Sequence, residues 1–174
     1  MKLKFLTKRI KMNLSQPFKF KIKKYIDKRG YLSEIFSKKK IKLNFNHSII
    51  SVSKKNVIRG LHFRIKPEYK ILYLFKGEII DYCVNLKTKK KYKFKLKNND
   101  CLLIPPGYAH GYECFKKENI LIYFLSWPYN PKLQSGIYFK DKDLNINWKT
   151  KKAIISDRDK NLDSFKRILE KKYY

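Results

Sequence analysis

Acidic residues are scarce in this chain: it has 14 Asp and Glu against 43 Lys and Arg, and a formal net charge of +29 at pH 7. Such an excess is typical of nucleic-acid-binding proteins, because basic side chains neutralise phosphates. Only six of the basic residues are Arg, however, and the lysines are spread along the whole chain. We therefore interpret the charge as a lysine-rich composition that also attracts anionic substrates, and nucleic-acid binding is kept as a minor alternative.

Long apolar runs are also missing, and no stretch approaches the roughly 18 apolar residues that a transmembrane helix needs. The basic residues 1–14 lack the apolar centre of a signal peptide. Cysteine is rare, and Cys83, Cys101 and Cys114 show no paired spacing. These absences predict a soluble, cytoplasmic protein with no membrane partner, in which reduced cysteines serve packing.

Short apolar, β-branched or aromatic runs make up most of the chain, with Gly, Pro, Asn and Asp between them. In the segment 91–97, aromatic or apolar residues alternate with lysines, which predicts a strand with one solvated face. Many short strands with frequent turns are typical of a β-sandwich or barrel. The predicted strands lie at residues 48–52, 71–75, 78–84, 92–96, 101–104 and 120–126.

The length of 174 residues predicts a single domain over residues 1–174. Residues 1–36 are predicted to form strands, with a turn at 27–30. Apolar residues recur at helical spacing near the end of the chain, which predicts a C-terminal helix over 157–174. The expected fold is therefore mainly β, with short helices and this C-terminal helix.

Two motifs have the spacing found in cupin-type jelly rolls. Residues 105–110 read Pro-x-Gly-x-x-His, whereas Lys70 takes the place of the usual glutamate, six residues before Gly77. The usual His-x-His is absent, because Phe63 and Arg64 follow His62. A lysine at a ligand position repels a divalent cation, so we expect no metal and a site built around an oxyanion.

An ordered set of segments resembles the dTDP-4-dehydrorhamnose 3,5-epimerase family. The set comprises Arg-Gly-Leu-His-Phe at 59–63, the strand pair 70–81, the turn 104–111, the strand with Tyr123, Tyr-Asn-Pro at 129–131 and Ser-Asp-Arg-Asp at 156–159. The resemblance covers about residues 27–160. It implies a jelly-roll barrel and an isomerase that inverts C3 and C5 of a nucleotide-linked 4-keto-6-deoxy sugar, without a cofactor.

The resemblance also implies the catalytic residues. His62 matches the base that removes a proton beside the ketone, and Asp159 matches the carboxylate that orients this histidine. Tyr123 matches the acid on the opposite face of the sugar, and Lys70 would lie near the developing oxyanion at O4.

Five further residues match binding positions of the family. Arg59 and His110 are implied to contact the diphosphate, and Tyr129 the nucleotide. Arg29 and Glu34 match a segment that reaches into the neighbouring subunit's site, which implies that residues 1–36 contribute to a homodimer.

Departures from the family pattern leave alternatives open. His-Ser-Ile-Ile-Ser at 47–51 replaces a more polar stretch, Leu32 replaces an aromatic residue, and Arg64 replaces a Gln. The base and sugar of the substrate are therefore not fixed by the sequence. A C3-only epimerase and a 3,4-ketoisomerase are the alternative enzymes, and Tyr123 favours the double epimerase.

Overall fold

Residues 14–39 and 41–173 are described by the computed structural model, and antiparallel strands are their predominant secondary structure. The strands are β1 (Phe18–Lys21), β2 (Lys24–Asp27), β3 (Gly30–Ser33), β4 (His47–Lys54), β5 (Ile58–Arg64), β6 (Lys70–Lys76), β7 (Glu78–Asn85), β8 (Lys91–Lys97), β9 (Asp100–Ile104), β10 (Tyr108–Cys114), β11 (Glu118–Leu125) and β12 (Gln134–Gly136). The helices are α1 (Asp157–Lys160) and α2 (Phe165–Glu170), and one 3-10 turn spans Pro131–Leu133. The predicted mainly β fold with short helices is confirmed.

Within the described ranges, ten strands form two five-stranded sheets. The first has the order β1-β9-β6-β11-β4, and the second has the order β12-β5-β10-β7-β8. The strands β2 and β3 pair only with each other and form a hairpin. At the far edge of the first sheet, β4 is bonded on one side only, to β11.

The two sheets pack face to face over one apolar core. Side chains on β6 alternate between this core and the outer face: Leu72 and Leu74 point inward, whereas Ile71 and Tyr73 point outward. The outer face of the first sheet is covered by apolar residues from the segment 14–45, and that of the second sheet by the C-terminal segment. Because both faces of the central strands are buried, these strands are apolar nearly throughout.

The outermost strand, β8, has the alternation that the sequence predicted. Tyr92, Phe94 and Leu96 are buried or half-buried, whereas the lysines between them are exposed. Lysines on the solvent side of an edge strand also oppose edge-to-edge aggregation.

The strands β5 and β10 approach each other closely at two glycines. A Cβ atom on Gly60 would lie 2.5 Å from the Cα of Gly111, and Gly60 has a φ of +117°. A Cβ atom on Gly111 would lie 2.8 Å from the carbonyl oxygen of Arg59. Only glycine fits at these two positions, and the close packing fixes β5 against its neighbour.

The C-terminal helix predicted over 157–174 is wrong in its extent, because two short helices take its place. Helix α1 ends at Lys160, and Ser164 caps α2 by accepting a hydrogen bond from the backbone N–H of Arg167. Phe165 and Ile168 are buried against the second sheet. In the N-terminal region, the predicted turn connects β2 to β3, whereas residues 1–13 lie outside the described residues.

Candidate active site

Strand alternation places four of the predicted residues between the two sheets. Lys70 on β6 and Tyr123 on β11 have the same parity as the inner-core leucines of those strands. On the second sheet, His62 of β5 and His110 of β10 are register partners, so their side chains are on the same face. All four line one cavity of about 350 Å³.

His62 is bonded to Asp159. The Nε2 atom of His62 lies 2.8 Å from Oδ1 of Asp159, and the backbone N–H of Gly60 donates to the other carboxylate oxygen at 3.0 Å. Burial raises the pKa of Asp159, but the hydrogen bonds with His62 and Gly60 outweigh it and hold this pKa below its ordinary value. Asp159 is thus a carboxylate at neutral pH, and it fixes the orientation of a half-exposed imidazole.

The ammonium group of Lys70 is buried at the cavity wall. Its residue is 8% exposed, and Nζ lies 3.5 Å from Oε2 of Glu68. Burial lowers the pKa of Lys70, whereas the charge of Glu68 and, more weakly, that of Asp81 raise it. A poorly solvated cation of this kind is a strong partner for a developing negative oxygen.

His110 is buried deeper than His62. Its Nδ1 atom lies 3.1 Å from Oδ2 of Asp81, a carboxylate with no exposed surface that also accepts a hydrogen bond from the thiol of Cys83. Burial lowers the pKa of His110 in spite of the Asp81 charge. This histidine therefore stays neutral at pH values where an exposed histidine is partly charged.

Tyr123 faces the cavity from the sheet opposite His62. It is 9% exposed, and burial raises the pKa of its phenol well above the ordinary value. The phenol interacts with Tyr112, whose hydroxyl lies 3.1 Å from Oγ of Ser51. A phenol with so high a pKa remains protonated, so it holds a proton that it can donate.

The outer part of the cavity is more exposed and carries the remaining cations. Arg59 is exposed and donates to Oγ of Ser53 at 3.0 Å, and Tyr129 lies at the rim with 52% of its surface exposed. Arg158 of α1 also lines the cavity. A wider groove of about 690 Å³ near Trp148 contains none of the predicted site residues.

Arg29 and Glu34 are not brought to this cavity. Arg29 lies at the tip of the β2–β3 hairpin, where it forms a 2.6 Å ion pair with Asp27, and its side chain is 83% exposed. Glu34 is exposed just after β3. Their predicted role in the site of a second subunit stays a prediction.

The model of one protein family matches residues 11–167 of the chain, and the family is described as dTDP-4-dehydrorhamnose 3,5-epimerase. The chain belongs to this family. The sequence-based prediction of an isomerase that acts as a 3,5-epimerase is confirmed by this membership.

Relatives of the epimerase match it over most of their length. A dTDP-4-dehydrorhamnose 3,5-epimerase of Methanothermobacter thermautotrophicus is 35% identical over 79% of this chain and 83% of its own. The crystal structure of the Bacillus anthracis dTDP-4-dehydrorhamnose 3,5-epimerase, with TDP and PPi bound, is 29% identical over 90% of this chain and 98% of its own, with a TM-score of 0.82. The Sulfolobus tokodaii enzyme is 33% identical over 87% of this chain and 91% of its own, with a TM-score of 0.79. The predicted jelly-roll architecture is confirmed by these structures.

Several cavity residues of the epimerase are not among those that the sequence predicts. Glu68 lies in the loop between β5 and β6, where no periodicity marks it, and Tyr112 resembles any other core aromatic. Arg158 precedes Asp159 in the Ser-Asp-Arg-Asp motif, so its place in that motif is a sequence signal for a site residue.

The described cysteines are buried thiols. Burial raises the pKa of Cys101 and of Cys114 to about 12, which agrees with the predicted packing role of the cysteines.

Proposed function

We propose that this protein inverts C3 and C5 of dTDP-4-keto-6-deoxyglucose through enolate intermediates, with His62 as the base. The observation that carries this proposal is the single cavity that holds His62 with Asp159, Tyr123 and Lys70. Family membership supports the reaction, and the nucleotide in the Bacillus anthracis relative supports a dTDP-linked substrate.

Each inversion begins with removal of a proton from a carbon next to the ketone. His62 is half-exposed to the cavity, and its neutral imidazole takes this proton while Asp159 stabilises the imidazolium that forms. Lys70 donates a hydrogen bond to O4 as negative charge develops there, a contribution of about 2.7–4 kcal/mol for a preorganised donor.

Inversion requires that the proton return from the other face of the sugar. Tyr123 is on the sheet opposite His62, and burial keeps its phenol protonated. It therefore donates its proton to the enolate carbon. The Tyr123 phenol contacts Tyr112, whose hydroxyl is in turn next to Oγ of Ser51. A positioned acid of this kind contributes roughly 10²- to 10⁴-fold in rate.

The exposed end of the cavity is suited to the nucleotide. Arg59 and Arg158 supply two guanidinium groups for the diphosphate, and Tyr129 offers an aromatic ring for the base. His110 was predicted to contact the diphosphate as well, but its burial next to Asp81 favours the sugar end of the substrate.

We also propose a homodimer, supported by two surfaces of the chain. The hairpin β2–β3 exposes Ile26 and Leu32 at 78% and 74%, and the edge strand β4 exposes Ile50 and Val52 at 65% and 54%. An open edge strand with apolar side chains is a ready site for pairing with another chain. Light scattering at low micromolar concentration should give twice the mass of the chain, and a monomer would disprove the dimer.

Shared sites in the dimer are tested by mixing two inactive variants. His62→Asn disables a site from within, and Arg29→Ala disables it from the partner if the hairpin crosses over. After co-refolding of equal amounts, about half of the dimers are hybrids under random subunit statistics, and each hybrid contains one intact site of two. The whole mixture should therefore recover about a quarter of the full activity. No recovery would place Arg29 outside the partner's site.

The location of the protein is proposed to be the cytoplasm, where its buried thiols stay reduced. No helix of the described residues is long and apolar enough to cross a bilayer. Nucleic-acid binding has less support, because the exposed lysines of β8 alternate along one strand and make ordinary surface ion pairs such as Lys95 with Glu78.

The test of the reaction is proton exchange in D₂O. With dTDP-4-keto-6-deoxyglucose, we expect deuterium at both C3 and C5 of the product. Tyr123→Phe should lose about 10²- to 10⁴-fold in the completion of at least one inversion, whereas Tyr138→Phe, which changes a half-buried tyrosine outside the cavity, should match the wild type. Exchange at C3 alone, or a product with its ketone at C3, would support the alternative enzymes, and no exchange with any nucleotide 4-keto sugar would refute the proposal.

A further inference from the structure

A buried carboxylate in the cavity wall has no role in the reaction described so far. Glu68 precedes β6, and only 2% of its side-chain surface is exposed, although the residue lines the cavity. Neither of its carboxylate oxygens has a hydrogen-bond partner among the described residues. A buried acceptor of this kind loses its hydration without compensation, so the folded protein carries an unfavourable group at the site.

Two cations lie next to Glu68 at ion-pair distances, longer than those of well-formed hydrogen bonds. Nζ of Lys70 is 3.5 Å from Oε2, and Nε of Arg64 is 3.9 Å from Oε1. Arg64 in turn lies over the ring of Trp127, 5.7 Å from its centroid. The cations hold the carboxylate in place electrostatically, and its two buried oxygens lack a hydrogen-bond partner among the described residues.

The ionisation of Glu68 is set by competing effects. Burial raises its pKa, whereas the charges of Lys70 and Arg64, and more weakly that of His47, lower it. Burial outweighs the cations, so the pKa of Glu68 stays above its ordinary value, and the flanking cations only partly restore the charged form.

We infer that Glu68 determines substrate specificity by accepting a hydrogen bond from the 3-hydroxyl group of the sugar. The inference rests on the proposed function, in which Lys70 binds the ketone oxygen O4. The 3-hydroxyl is on the carbon next to C4, so it lies beside the oxygen that Lys70 binds. Since Glu68 is the neighbour of the Lys70 ammonium, its unpartnered carboxylate is the acceptor that we assign to this hydroxyl.

The physical consequence is selection for a donor at C3. A sugar with a hydroxyl there satisfies the carboxylate, whereas a sugar without one leaves a buried charged acceptor unpaired in the complex. Sites built to pair with a substrate hydroxyl discriminate strongly against analogues that lack it.

The experiment compares Glu68→Gln with the wild type on three substrates. These are dTDP-4-keto-6-deoxyglucose and its 3-deoxy and 2-deoxy analogues, all of which keep the C5 proton. The rate of deuterium incorporation at C5 in D₂O gives kcat/KM for each. Glu118→Gln is the matched control, because Glu118 is half-exposed, pairs with Lys76 and lies outside the cavity.

We expect Glu68→Gln to lose about 10- to 100-fold in kcat/KM with the parent sugar, the range for a hydrogen bond to a charged group. The same loss should remain with the 2-deoxy analogue. With the 3-deoxy analogue, wild type and variant should differ by less than about three-fold, because the contact is already missing from both. Glu118→Gln should match the wild type on all three substrates.

An equal loss on all three substrates would overturn the inference, because Glu68 would then act only through Lys70 or through the fold. A loss that vanishes with the 2-deoxy analogue instead would also overturn it. Failure of the wild type to exchange any proton of the parent sugar would refute the proposed function itself, so the two failures are distinguishable.

Folding is monitored by thermal unfolding of each variant. If Glu68→Gln fails to fold, the double variant Arg64→Gln with Glu68→Gln removes one charge of each sign from the cluster and undergoes the same three-substrate comparison. The same selective loss of discrimination at C3 is expected for it.

Discussion

Two histidine–aspartate pairs lie side by side in this protein, and their surroundings give them different properties. His62 and Asp159 meet at 2.8 Å near the opening of the cavity, and the His62 side chain is 31% exposed. His110 and Asp81 meet at 3.1 Å in the interior, where their side chains are 5% and 0% exposed. The same two residue types therefore form one pair that reaches substrate and solvent and one that is enclosed by protein.

The difference lies in the elements that supply the carboxylates. Asp159 comes from α1, a short helix at the sheet edge, whereas Asp81 comes from β7, the strand next to His110. An imidazole at the surface can gain and lose a proton during a reaction. One that is enclosed, with its pKa lowered by burial, serves as a fixed neutral group. We therefore assign proton transfer to the first pair and a fixed position in the cavity wall, at the sugar end, to the second.

The largest expected effect comes from His62. Replacement His62→Asn keeps a polar side chain of smaller size but removes the base, so we expect deuterium exchange at C3 and C5 to fall by about 10²- to 10⁴-fold. Exchange is measured by mass spectrometry of the sugar in D₂O. If His110→Asn reduces exchange more than His62→Asn does, the assignment of roles to the two pairs is reversed.

A smaller loss is expected from the partner of His62. Asp159→Asn keeps the shape but removes the charge that stabilises the imidazolium, and we expect exchange to fall by about 10²-fold. Asp157→Asn, an exposed neighbour on the same helix, is the matched control and should keep full activity. Equal activities of the two variants would show that His62 works without a carboxylate.

The enclosed pair should affect stability more than rate. Asp81→Asn weakens a buried hydrogen bond to a charged group, and we expect a loss of about 1.5–3 kcal/mol in the free energy of unfolding. Its loss of activity should be below that of Asp159→Asn, whereas its loss of stability should be greater. The free energy of unfolding is measured in urea, and the activity is measured by deuterium exchange. If the same variant shows the greater loss in both measurements, the prediction is wrong.

The smallest effect is a pH dependence of stability. Because the pKa of His110 is lowered in the folded protein, the unfolded chain binds a proton at about pH 6.5 that the folded chain does not. The contribution of His110 to stability is therefore present above this pH and is lost as the pH falls toward the folded pKa. The stability difference between wild type and His110→Asn should shrink from about pH 7.5 to about pH 5.5, whereas parallel curves would show that His110 does not titrate differently on unfolding.

Alternation along strands made much of this arrangement predictable. Short apolar runs defined the strands, and the resemblance to the epimerase family selected His62, Lys70 and Tyr123, which the structure brings into one cavity. Asp159 was identified only by its match to the family motif. No local sequence pattern indicates that it is hydrogen-bonded to His62, which lies 97 residues earlier in the chain.

The parts that were not predicted depend on tertiary packing. Glu68 is in an irregular loop, where no periodicity in the sequence indicates that it is buried. The C-terminal helix was predicted too long because Leu162 and Phe165 have helical spacing, yet Ser164 caps a new helix between them and ends the pattern. Ser156 and Ser164, each directly before a helix, were the local signals of two separate starts.

The contact between Gly60 and Gly111 constrains how this epimerase can change. A methyl group at either position would separate β5 from β10 and so displace His62 from the carboxylate that also accepts the N–H of Gly60. Directed evolution toward other sugars should therefore recover no side chain larger than glycine at these two positions. Accepted substitutions should gather instead at the rim around Tyr129, where side chains are exposed.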